Sequence, residues 1–119
     1  MKISEHFSTE ELRCKCGCNL YIRNKLLIDV LEDIRLHFGV PINVTSSTRC
    51  AIHNWNVGGV TNSKHVLGLA CDIQVKGILP HFVADYLEEK YPNKFGVGRY
   101  NSFTHIDVRK LKSRWDKTT

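Results

Sequence analysis

A chain of 119 residues, 42% hydrophobic and 24% charged, is long enough for one core and too short for two ordinary domains, and it leaves no room for a disordered half. The net charge of +5 fits ordinary solubility or attraction to an anionic polymer such as cell wall, nucleic acid or a lipid surface. No apolar run approaches the roughly 20 residues that span a bilayer. Met1-Lys2-Ile3-Ser4-Glu5-His6 lacks the apolar stretch of a secretory signal. The expectation is one domain over 1–119, made in the cytoplasm, with no membrane span.

Taken in chain order, Ser8-Thr9-Glu10-Glu11 reads as a capping box opening a short helix through Leu12. A cysteine-rich loop follows. Asn24 then caps an amphipathic helix over 25–38, with Leu27, Val30, Leu31, Ile34 and Phe38 as its core stripe and Gly39 as its stop. After Pro41, Ile42-Asn43-Val44-Thr45-Ser46 alternates as a strand. Ala51 to Val57 reads as a short helix ending at Gly58-Gly59. A loop through Asn62 and Ser63 leads to His65, Gly68 breaks the chain, and Ala70 to Val75 is a strand. Leu79 to Lys90 is a helix with Pro80 in its first turn. Phe95 to Tyr100 and Phe103 to Val108 form two strands joined by a tight turn at Asn101-Ser102. This mixture predicts an α+β fold with a small, mainly antiparallel sheet and flanking helices.

The basic tail, Lys110, Lys112, Arg114 and Lys117 with Trp115 among them, has the composition of a nucleic-acid contact but no motif around it. No nucleic-acid partner is therefore expected, and the protein is expected to be a monomer. The five cysteines are an odd number. Without a secretory signal, reduced thiols are the default. Cys14, Cys16 and Cys18 alternate, which departs from the Cys-x(2–4)-Cys pairs of structural zinc sites. Packed or free thiols are the expectation there, with a second metal as the less favoured reading.

Two stretches carry the chemistry. Ser63-Lys64-His65-Val66-Leu67-Gly68-Leu69-Ala70-Cys71-Asp72 and Phe103-Thr104-His105-Ile106-Asp107 supply two imidazoles and a carboxylate. Three such ligands leave zinc an open position for water, and the net charge of about +1 lowers that water's pKa and polarises a carbonyl. His105 and Asp107 share a strand face by the period of two, so Asp107 points to the side of the proposed ligand. Taken singly, each has a plainer reading. His65 would be a hydrogen-bonded surface histidine, Asp72 a strand-end carboxylate and His105 a core histidine.

Beyond spacing, Ser63-x-His65-x-x-Gly68-x-Ala70-x-Asp72 resembles the first zinc motif of the D-Ala-D-Ala carboxypeptidase and dipeptidase superfamily, which is related to lysostaphin-type peptidases and hedgehog domains. Thr45-Ser46-Ser47-Thr48-Arg49-Cys50-x-x-His53-Asn54 with Val57-Gly58-Gly59 is similar to the upstream block of its short, often phage-encoded members. Gly96-Val97-Gly98-Arg99-Tyr100 with Phe103-x-His105-x-Asp107-Val108-Arg109 resembles their closing hairpin, and His6-Phe7-Ser8-x-x-Glu11-Leu12-x-Cys14 their N-terminal helix.

The resemblance implies a zinc peptidase acting on bacterial peptidoglycan stem peptides, as a carboxypeptidase or an endopeptidase such as a phage endolysin that reaches the wall after release. It implies one zinc ion on His65, Asp72 and His105, with Arg49 stabilising the oxyanion through its paired donors. Ser63 would bind substrate. Their plainer readings are a structural ion pair for Arg49 and a loop cap for Ser63. The chain departs from the pattern at Ser102 and Phe103, where many relatives carry an acid or a second histidine. Neither residue can act as a base, which leaves Asp107 as the catalytic base or as the group that orients a ligand imidazole. A zinc-containing module that binds the cell wall without turnover is the alternative function.

Overall fold

The structure is a computed structural model, and it describes residues 1–16, 18, 20–22, 24–48, 54, 57, 64–65 and 68–119. Helix α1 spans Lys25–Phe38. The Asn24 side chain accepts the Leu27 N–H at 3.0 Å, and Gly39, at φ 69°, returns its N–H to Arg35. Leu27, Ile28, Val30, Leu31 and Ile34 are buried along the inner face. Cap, stripe and stop fall where the sequence places them.

The strands are β1 (Ile42–Ser46), β2 (Ala70–Val75), β3 (Gly96–Arg99), β4 (Thr104–Asp107) and β5 (Ser113–Asp116). Helix α2, Pro80–Lys90, lies between β2 and β3 in the chain. The sheet order is β1-β2-β4-β3-β5, antiparallel throughout except for β5, which runs parallel to β3. The fold is α+β, as the element pattern predicts. Strand β5 is the addition: the segment read from sequence as a basic tail holds an edge strand. Its burial pattern has no alternation, so period two gave no signal.

The two faces of the sheet divide the labour. Ile42, Val44, Cys71, Ile73, Val75, Val97 and Ile106 share one face by register and join α1 and the Val83, Ala84 and Leu87 stripe of α2 in one core. Asp33 ties the helices together, accepting Tyr86 Oη and Tyr91 Oη and pairing with Lys90. Arg99 binds Asp85 and Glu88 from the strand side. On the opposite face a single lateral row runs across the strands: Ser46 beside Asp72, Asp72 beside His105, His105 beside Gly98, Gly98 beside Trp115. The polar chemistry therefore sits on the face away from the helices.

The helix expected at Ser8–Leu12 is a single turn. Its capping elements form, since Glu11 accepts from Ser8 N and Oγ and Leu12 N–H reaches Ser8 O. The Leu12 carbonyl is then taken by Ile22 N–H at 2.9 Å, and Arg13 bridges Tyr21, so the chain turns back instead of propagating the helix. The short helix expected over 51–57 lies outside the described residues apart from Asn54 and Val57.

Candidate metal centre

The register of β2 and β4 places Asp72 directly beside His105. His65 arrives from a tight turn before β2. Gly68 N–H bonds the His65 carbonyl at 3.1 Å and Leu69 N–H the Lys64 carbonyl at 3.0 Å, folding the loop back onto the strand end. His65, Asp72 and His105 are all buried, at 4%, 7% and 7% exposure, and one ligand atom from each lies within 4.8 Å of the others. A tetrahedral zinc with bonds of about 2.0–2.2 Å needs neighbouring donors about 3.3 Å apart, so little side-chain movement is required.

Hydrogen bonding sets which ring nitrogen faces inward. His65 Nδ1 stands 2.6 Å from the Ser47 carbonyl, which can only accept, so Nδ1 carries the proton. Its Nε2 lone pair then faces Asp72 Oδ2 at 3.3 Å. His105 Nε2 faces Asp107 Oδ2 at 2.8 Å, leaving Nδ1 toward Asp72 Oδ1 at 2.9 Å. In neutral rings both inner contacts oppose a lone pair to a carboxylate oxygen. A cation among the three groups relieves that opposition, and the donor set of two imidazoles and a carboxylate fits zinc.

Where a ring carries its second proton instead, the same inner contact becomes a hydrogen bond to Asp72. Burial pushes the Asp72 carboxyl up, but hydrogen bonds from His105 and His65 outweigh it and hold it at about 2. Burial draws His105 down, while its bonds to Asp107 and Asp72 lift it above its ordinary value. Asp107 is fully buried, yet bonds from His105 and Arg109 hold it well below the usual carboxylate range.

Asp107 is enclosed. Oδ1 accepts from Gly96 N–H, Arg109 N–H and Arg109 Nε, and Oδ2 accepts from Arg109 Nη2 and His105. Gly96 is what admits this carboxylate. A Cβ there would stand 2.6 Å from Asp107 Oδ1 and 2.7 Å from Arg109 Nε. Gly98 does the same for Trp115, whose Cε2 lies 2.5 Å from where a Cβ would be. The Trp115 ring thereby reaches His105, with centroids 4.9 Å apart, and its Nε1 donates to Tyr100 Oη. Arg109 lies 5.2 Å from the same ring.

Of the residues singled out from sequence, the structure brings His65, Asp72, His105 and Asp107 together. Arg49 and Ser63 lie outside the described residues. Sequence reasoning passed over Ser47, Arg109 and Trp115 as site residues. Ser47 acts through its carbonyl, and Trp115 enters by a parallel pairing that no local pattern announces. Arg109, two residues past Asp107 and able to reach the same carboxylate, is the one that spacing could have marked.

The family model Peptidase M15 matches residues 5–107. No curated protein matches the chain. The matched span holds the three clustered donors together with the strands that carry them, and the chain belongs to the Peptidase M15 family, a family of zinc-dependent peptidases.

Proposed function

We propose that this protein is a zinc peptidase that hydrolyses peptide bonds in bacterial peptidoglycan stem peptides, as a D-Ala-D-Ala carboxypeptidase or an endopeptidase of the phage endolysin kind. The observation that carries the reading is the buried His65, Asp72 and His105 cluster inside the span that matches a peptidase family. One domain over 1–119 acting as a monomer is part of this reading.

A zinc ion on those three residues would lower the pKa of a bound water and polarise the scissile carbonyl. The Ser47 carbonyl and Asp107 hold the two imidazoles in the tautomers that such an ion needs. Of the two roles open to Asp107, its contacts support the orienting one. A carboxylate offers about four lone-pair sites. Asp107 already receives donors from His105, Gly96 and Arg109, with no exposed surface left for a water proton. Arg49 is assigned to the oxyanion and Ser63 to substrate binding, on their match to the motif positions of the resembling peptidases.

Asp107's engagement is also the observation that favours the second reading, a zinc-containing module that binds the wall without turnover. One experiment tests both. The zinc-loaded protein is incubated with purified peptidoglycan fragments and the products are read by mass spectrometry. Release of D-alanine or cleavage of a cross-linking peptide is expected. Fragments bound but unchanged by fully metallated protein would replace the peptidase with the module.

A further inference from the structure

The cysteine run is the feature that the peptidase chemistry leaves unused. Its sequence spacing argues against zinc, but the fold brings the thiols together. Cys14, Cys16 and Cys18 each place Sγ within 4.8 Å of the other two, and Cys14 and Cys16 are 3.4 Å apart. Zinc–sulfur bonds of about 2.3 Å in a tetrahedron set sulfur atoms about 3.8 Å apart. The convergence has a backbone cause. Cys14 N–H bonds the Leu20 carbonyl at 2.6 Å and Arg13 bridges Tyr21, closing the loop on itself so that alternate residues meet.

Burial completes the arrangement. Cys14 is fully enclosed, while Cys16 and Cys18 are exposed, so a metal can enter from solvent and find one ligand already fixed. Arg13 and Lys15 flank Cys14 in sequence and offset the negative charge of three thiolates. Soft thiolate sulfur selects zinc over the hard cations.

We propose that Cys14, Cys16 and Cys18 hold a second zinc ion, separate from the one on His65, Asp72 and His105. Its role is structural. The Arg13 carbonyl, next to Cys14, accepts Ser47 Oγ at 2.9 Å, and the Ser47 carbonyl in turn fixes His65. A metal on the loop pins the first link of that chain.

The test is metal counting on the full chain, prepared with a phosphine reductant and a several-fold molar excess of zinc and then desalted. Two zinc ions per chain are expected in the wild type, and one in the Cys16→Ser/Cys18→Ser variant. Replacing zinc with cobalt gives a second readout that does not depend on hydrolysis. A thiolate-to-cobalt charge-transfer band is expected in the wild type and in His65→Ala, and its loss in the double cysteine variant. One zinc per chain in the wild type with no such band would overturn the proposal. So would a disulfide in this run in protein purified without a reductant, read as a mass two hydrogens lighter than the reduced chain that the double cysteine variant does not show.

Discussion

Asp107 holds His105 and Arg109 at once: its Oδ2 lies 2.8 Å from His105 Nε2 and 2.7 Å from Arg109 Nη2. One buried carboxylate thus fixes the proton on the outer nitrogen of an imidazole and anchors Arg109, two residues past the end of the strand. Carboxylate–histidine–metal arrangements use this geometry to raise ligand basicity and lock ring orientation.

Asp107→Asn is expected to weaken zinc binding at His65, Asp72 and His105 by about 10–100-fold, the usual effect of removing such a partner. Competition with a chromophoric chelator measures it. If Asp107 instead moves protons, kcat falls while zinc affinity stays at the wild-type value.

Asp72→Ala is expected to abolish metal binding at this cluster while leaving the sheet intact, since the side chain lies on the face away from the main core. Removing the ligand also removes the stabilisation that a bound ion gives, about 2.7 kcal/mol at a free concentration 100 times Kd. The wild-type melting temperature is therefore expected to rise on adding zinc to chelated protein, and the variant's rise is expected to be smaller.

Gly98→Ala is expected to cost about 1–3 kcal/mol by overpacking, because the new methyl meets the Trp115 ring. Trp115→Ala alone costs about 2 kcal/mol, at or below the low end for a large aromatic because the ring is partly exposed. The double variant is expected to be no less stable than Trp115→Ala, since the clash is gone. Denaturant unfolding of all four proteins checks this cycle. Additive losses would mean that the glycine serves something other than the indole.

Glu32 provides the pH dependence. Partial burial pushes its carboxyl up, but bonds from Ser4 Oγ, His6 N–H and the His6 ring hold it below its ordinary value. A carboxylate with a depressed folded pKa adds stability that is present above its unfolded value, near 4.3, and is lost as pH falls through the folded one. Glu32→Gln is expected to cost about 1–2 kcal/mol at pH 7, the scale of hydrogen bonds to a charged group. The gap is expected to narrow steadily in melts below pH 4. A constant gap across that range would remove the charge from the explanation.

Helix α1 was legible to the residue because its signals are local: Asn24 caps, Leu27 to Ile34 form the stripe and Gly39 stops it. The turn at Ser8 shows the limit of local signals. Its capping box formed as written, and a hydrogen bond from Ile22, ten residues on, ended the helix. Strand β5 was illegible because Ser113-Arg114-Trp115-Asp116 shows no apolar alternation. What holds it is a ladder to β3 and Arg114 donating to the Tyr91, Lys94 and Phe95 carbonyls. At the candidate site the donors were visible as motif residues. The groups that orient them were not, because a carbonyl at Ser47 and missing side chains at Gly96 and Gly98 acquire meaning only through register.

The family match stops at residue 107, whereas Trp115, which covers His105, stands beyond it on β5. The candidate metal donors and the ring beside them therefore lie on opposite sides of that boundary. A substitution at Trp115 changes what stands beside the cluster while the three candidate donors keep their own residues, which makes the C-terminal edge a place to vary the surroundings of the cluster.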